Sequence, residues 1–135
     1  MKTYLLDTNV ILRFLTGESE AQAQRAKLLF EQCEAGVFSI RILPLVIAEV
    51  VFVLTGKYYQ MERAEVAKAL ILFLENPSFD VADRDSLIRG LQIFQQHNID
   101  YADAYLAAEA QINDCGIASF DQNFQKIPDL DLHKL

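Results

Sequence analysis

Short apolar runs alternate along the chain with longer segments whose apolar positions recur at helical spacing. Residues 3–6 read as a short buried strand, and residues 7–16 as a helix ended near Gly17. Ser19 can accept from the orphan backbone donors of a first turn, so it caps a helix running to about Glu34. Gly36 stops that helix, and residues 37–40 form the next strand. Pro44 suits the first turn of a third helix that reaches about Thr55, with Gly56 just past its end. Residues 61–74 place Ala64, Ala67, Leu70, Ile71 and Leu74 on one helical face. Asn76-Pro77 marks a turn, and residues 79–81 a third strand. A helix over 83–97 carries a stripe of Leu87, Leu91 and Phe94. An alanine-rich helix follows from Asp100 or Tyr101 to Asp114. A strand at 117–120, a short helical turn at 121–125 and an edge strand at 130–132 complete the chain.

Strand and helix in alternation predict an α/β fold, with a central, mainly parallel sheet of short strands between two helical layers. No linker, repeat or low-complexity tract divides residues 1–135, so one domain is expected. In such folds ligands bind beyond the carboxyl ends of the strands. Those are the places where the hydrophobic pattern is broken by acids.

Asp7 follows Tyr4-Leu5-Leu6, and Glu49 interrupts the apolar stretch from Leu43 to Leu54. Asp103 stands at the head of Ala104 to Ala108, and Asp121 follows Gly116-Ile117-Ala118-Ser119-Phe120. A carboxylate withdrawn from water without a partner costs several kcal/mol. Four of them suggest one shared site, and no matching set of Lys or Arg lies in the same segments. A divalent cation that takes oxygen ligands, Mg²⁺ or Mn²⁺, is the simplest common partner. Such a site, with room for water and phosphate oxygens, suits phosphodiester hydrolysis.

Composition narrows the picture only a little. At 52% apolar and 23% charged the chain is globular. No stretch is long and apolar enough to span a membrane, and Asp7 breaks the first apolar run too early for a signal peptide. A cytoplasmic protein is expected. Cys33 and Cys115 are too few for a disulfide framework and lack zinc spacing with His97 or His133, so both read as reduced packing residues. The net charge of −7 is unlike a general nucleic-acid binder. A polyanion would have to be held by a local basic strip and by the metal.

The motifs Leu5-Leu6-Asp7-Thr8-Asn9-Val10, Ala48-Glu49-Val50, Tyr101-Ala102-Asp103-Ala104-Tyr105-Leu106-Ala107-Ala108 and Ser119-Phe120-Asp121-Gln122-Asn123-Phe124 together resemble the PIN-domain nucleases. The branch most similar is the VapC-type ribonuclease toxins of prokaryotic toxin–antitoxin pairs. The resemblance spans nearly the whole chain, in family order. It implies a parallel sheet flanked by helices, an endoribonuclease activity dependent on Mg²⁺ or Mn²⁺, a homodimer, and inhibition by a cognate antitoxin. Carried over by position, Asp7, Glu49, Asp103 and Asp121 match the family's acidic quartet. Asn9 and Ser119 match the polar residues that orient those acids.

Other roles remain open for the same residues. Asp7 and Asp121 suit helix N-caps, Asp103 a first-turn partner of the helix dipole, and Glu49 a helix face. Asp100 competes with Asp103 and is the better N-cap. The dispersed basic residues read mostly as solvated, with Arg13, Arg41, Lys57 and Lys126 the candidates for phosphate contact. Tyr58-Tyr59 could stack on a base or pack at an interface. Two rival functions stand beside the nuclease. One is a catalytically weak PIN-like module that binds RNA or protein. The other is a domain phosphorylated on Asp7, which Asn9 argues against, because such phosphatases place a second Asp there.

Overall fold

The computed structural model describes residues 1–135. Six α-helices, five short strands and one 3₁₀ helix follow in the order β1 Thr3–Leu5, α1 Thr8–Thr16, α2 Glu20–Glu34, β2 Ser39–Ile42, α3 Pro44–Thr55, α4 Arg63–Leu74, β3 Asp80–Val81, α5 Arg84–Gln96, α6 Tyr101–Ile112, β4 Ile117–Ser119, the 3₁₀ helix Gln122–Lys126, and β5 Leu132–Lys134. This is the α/β architecture expected, with every strand pairing parallel.

The strands fall into two hydrogen-bonded groups. One is ordered β1-β2-β3 and the other is β4-β5. β1 is therefore an edge strand in its sheet, and all three of its residues are exposed, Leu5 by 65%. The expectation of a buried first strand is corrected here. Burial of a strand requires a neighbour on each side or a helix over each face, and β1 has only β2 beside it. The second strand lies two residues later than expected, because Val37 and Phe38 still belong to the turn after Gly36. The last strand is likewise shifted, to Leu132–Lys134.

Helix boundaries follow local chemistry. Ser19 Oγ accepts from the Gln22 N–H, as expected of an N-cap. Gly17 ends α1 with φ +67°, a conformation open to glycine without strain. Pro44 opens α3 and costs it no hydrogen bond there. Two arginines finish helices from a distance. Arg63 donates to the Phe94, His97 and Ile99 carbonyls at the end of α5 and lies over the Phe94 ring. Arg84 donates to the Leu74, Asn76 and Phe79 carbonyls past the end of α4. Both are half-buried, so their reading as solvated residues is corrected. A C-terminal carbonyl without an intrahelical partner attracts a guanidinium.

The core is one continuous apolar cluster fed by every α-helix. Phe30, Phe73 and Phe79 meet with centroids 5.1 to 5.5 Å apart, and Phe14 closes on Phe30 at 4.9 Å. These rings join α1, α2 and α4. On α4 the buried face is Val66, Ala67, Leu70, Phe73 and Leu74, while Ala64 is exposed, one position off the expected stripe. Gly90 on α5 faces the α6 backbone, where a Cβ would stand 3.1 Å from the Tyr105 Cα. Ala104, Ala107 and Ala108 keep the facing side of α6 equally thin. No helix is long and apolar enough to cross a membrane.

Candidate functional site

Asp7 is separated from the end of β1 by Leu6 and precedes the first residue of α1. Its carbonyl accepts from the Val10 N–H, yet its side chain makes no cap hydrogen bond and is exposed. Asp121 is separated from β4 by Phe120 and precedes the 3₁₀ helix. Here the side chain does cap, accepting from the Asn123 N–H at 2.8 Å. Ser119 Oγ in turn accepts the Asp121 N–H at 2.9 Å, which fixes the turn that presents this acid. Asp103 lies in the first turn of α6 and is half-buried. Glu49 lies mid-way along α3, exposed between Leu45 and Phe52, each 78% exposed.

The premise that four carboxylates are taken out of water is thus corrected. Asp7, Glu49 and Asp121 are exposed, and only Asp103 is drawn in. They interrupt apolar runs because each occupies an element's end or outward face. The two ion pairs of the molecule, Arg13–Glu18 and Arg41–Asp80, involve none of the four.

Electrostatics tie part of the set together. The Asp103 carboxyl is pushed above its usual range, first by loss of water and then by the charges of Asp121 and Asp100. Asp100 sits at the N-cap position of α6 without making a side-chain cap bond. Its role beside Asp103 was hidden by its reading as a plain cap, although both stand in one turn. α3, which carries Glu49, packs against α1, at whose start Asp7 stands, and against α6. Asp7 and Glu49 are not drawn in with the other two: no three His, Cys, Asp or Glu side chains lie together within ion-holding reach.

The donor chemistry fits a hard divalent ion. The four side chains offer only carboxylate oxygens, no ammonium or guanidinium competes for them, and Asp103 carries unrelieved like-charge repulsion. Asn9 is exposed in the first turn of α1, two residues past Asp7. Cys33 is buried and donates to the Ser78 carbonyl, whereas Cys115 is exposed, so its packing role is corrected; both are free thiols. The Tyr58 and Tyr59 hydroxyls both donate to Glu18, tying the loop after α3 to the turn between α1 and α2.

An α/β fold with acids after the carboxyl ends of parallel strands defines the class. The sequence matches the PIN domain family over residues 4–130, and the chain belongs to that family. Among solved structures it is similar to a chain of VapBC2 from Rickettsia felis bound to a DNA fragment from its promoter. That likeness has 16% identity over 98% of each chain and a TM-score of 0.38. No curated protein matches the chain.

Proposed function

We propose that this PIN domain is a metal-dependent endoribonuclease, acting as the toxin of a toxin–antitoxin pair, with Asp7, Glu49, Asp103 and Asp121 as its acidic residues. PIN domains are generally nucleases, and that membership is the frame of the reading. The observation that carries it further is the state of the carboxylates: none of the four is paired with a cation, and Asp103 is held against Asp121 and Asp100.

In this reading Asp7, Glu49 and Asp103 hold Mg²⁺ or Mn²⁺, and Asp121 helps a second ion or orients water. When bound, the ion supplies positive charge that stabilises a phosphodiester under attack. The chain's own residues do the rest. Ser119 holds the turn that aims Asp121, and Asn9 stands exposed two residues past Asp7. An RNA substrate, an antitoxin partner, a homodimer and a cytoplasmic location belong to the same proposal. The RNA could be a transfer RNA anticodon stem, a ribosomal loop or a messenger, since specificity comes from groove shape.

A second reading has its own support. The net charge of −7 and the dispersed acids suit a PIN-like module that binds RNA or protein without turnover. Cleavage of a total-RNA pool by purified protein with Mg²⁺ or Mn²⁺, beside EDTA and Asp7→Asn controls, separates the two. Discrete fragments lost in both controls support the nuclease. Asp7→Asn should lower the rate by about 100-fold or more, since even residues that only support metal ligands are worth 10- to 100-fold. Undiminished cleavage by that variant would sink the assignment. Metal binding by calorimetry without turnover would favour the binding module.

A further inference from the structure

Between α1 and α2 lies a cavity of about 360 Å³ whose polar lining is Asn9, Arg13, Gln22 and Arg25, with aliphatic side chains for the remainder. Asn9 and Arg13 are one helical turn apart on α1. Gln22 and Arg25 stand i, i+3 on the facing side of α2. No carboxylate lines this cavity, in a chain where acids outnumber bases 19 to 12. Arg13 donates from Nε to Gln22 at 2.8 Å, and its Nη1 is 4.0 Å from Glu18. Both Glu18 oxygens are already taken by the Tyr58 and Tyr59 hydroxyls. Arg25 is exposed and enters neither ion pair of the molecule.

We propose that this groove is a phosphate subsite, in which Arg13 and Arg25 hold a backbone phosphate of an RNA strand whose cleaved bond lies at Asp7. The proposal rests on the reading of the chain as a ribonuclease and names where its substrate runs. Two guanidiniums on facing helices repel until an anion lies between them, and their planar forks match phosphate oxygens. The groove's Asn9 end is two residues from Asp7, and Arg13 lies roughly 9 Å from Asp7 along the helix axis at 1.5 Å per residue. A strand held there runs toward the start of α1, where Asp7 stands. The local basic strip resolves how a chain of net charge −7 engages a polyanion. Arg25 is the new member of this strip, and Arg13 is turned toward α2 by its hydrogen bond to Gln22.

The test compares wild type with Arg25→Gln and Arg13→Gln/Arg25→Gln on a short labelled single-stranded RNA. Binding is read by anisotropy with Ca²⁺ over a salt series, and turnover with Mn²⁺. Bis(p-nitrophenyl) phosphate, a diester too small to reach the groove, is the second substrate. The expected result is a KM for RNA raised about tenfold in the double variant, with kcat and small-diester hydrolysis unchanged. The slope of log affinity against log salt should fall by roughly 0.7 for each phosphate no longer neutralised. Unchanged RNA affinity and slope in the double variant would overturn the proposal. So would an acidic peptide whose binding is lost in the double variant while RNA binding persists. Failure of the ribonuclease reading shows separately, as a wild type that hydrolyses neither substrate, and the Ca²⁺ binding series then still decides the groove. Arg25→Gln removes no ion pair, so an unchanged melting temperature keeps that arm interpretable.

Discussion

The α5–α6 pair and the ends of β1 and β4 are built on opposite principles. Where α5 meets α6, Gly90 and three alanines bring two backbones close, Leu87, Leu91 and Ile93 are fully buried, and Tyr101 reaches back to the Leu87 carbonyl. At the strand ends, Leu5 and Phe120 are 65% and 82% exposed, and the neighbouring acids lack cations. The first region is stable because its groups are satisfied. The second keeps charge and apolar surface unsatisfied, which is what a site for an ion and a polyanion requires and what a stability-optimised surface avoids.

Truncating the packed region should have the largest effect on stability. Leu91→Ala removes a fully buried side chain of α5 and should cost about 2–5 kcal/mol in urea unfolding, whereas Leu5→Ala on the exposed strand should stay within about 0.5 kcal/mol. Equal losses would mean that β1 is covered in solution and would erase the contrast. Gly90→Val pushes side-chain atoms into the α6 backbone and should cost about 1–3 kcal/mol or more despite valine's better helix propensity. Thermal melting reads this directly, and a neutral outcome would mean the two helices can separate. Arg63→Met keeps the packing on Phe94 and takes the guanidinium donor from three carbonyls, of which that of His97 retains the Ile99 N–H, an effect of about 1–3 kcal/mol.

The smallest effect carries the sharpest sign. The folded-state pKa of Asp103 is raised, so the native state binds more protons than the unfolded chain between the two values. Its destabilising contribution is absent below the unfolded pKa and fully present above the folded one. Asp103→Asn should therefore raise the melting temperature of metal-free protein at neutral pH, and the gain should vanish as pH falls through the carboxylate range. A saturating divalent ion should reverse the order at neutral pH, because the wild type then gains a ligand. A pH-independent difference would mean that neither burial nor the charges of Asp121 and Asp100 raise the Asp103 pKa.

The helices were legible because their signals are local. Ser19, Pro44, Gly17 and the stripe Leu87-Leu91-Phe94 act within one or two turns, and each stands where the pattern predicted it. Strand positions were less legible: residues 37–40 and 130–132 carry strand composition, yet pairing decides which of them enter a ladder. The acids were legible as exceptions to the hydrophobic pattern, but the inference from exception to burial failed. A residue that breaks an apolar run can sit at an element's end, as Asp7 and Asp121 do, or on a helix's outward face, as Glu49 does. Arg63 and Arg84 were misread for the converse reason. Their partners are backbone carbonyls, which no side-chain pattern marks.

By itself, the sequence determined the α/β alternation, the Ser19 cap and the family, since those depend on spacing and side-chain chemistry along a few consecutive residues. Only the tertiary structure decided that β1 is an exposed edge, that burial and the charge of Asp121 raise the Asp103 pKa, and that Arg25 faces Arg13 across a groove free of acids. Those facts concern groups far apart in the chain, and their proximity is set by how the helices pack.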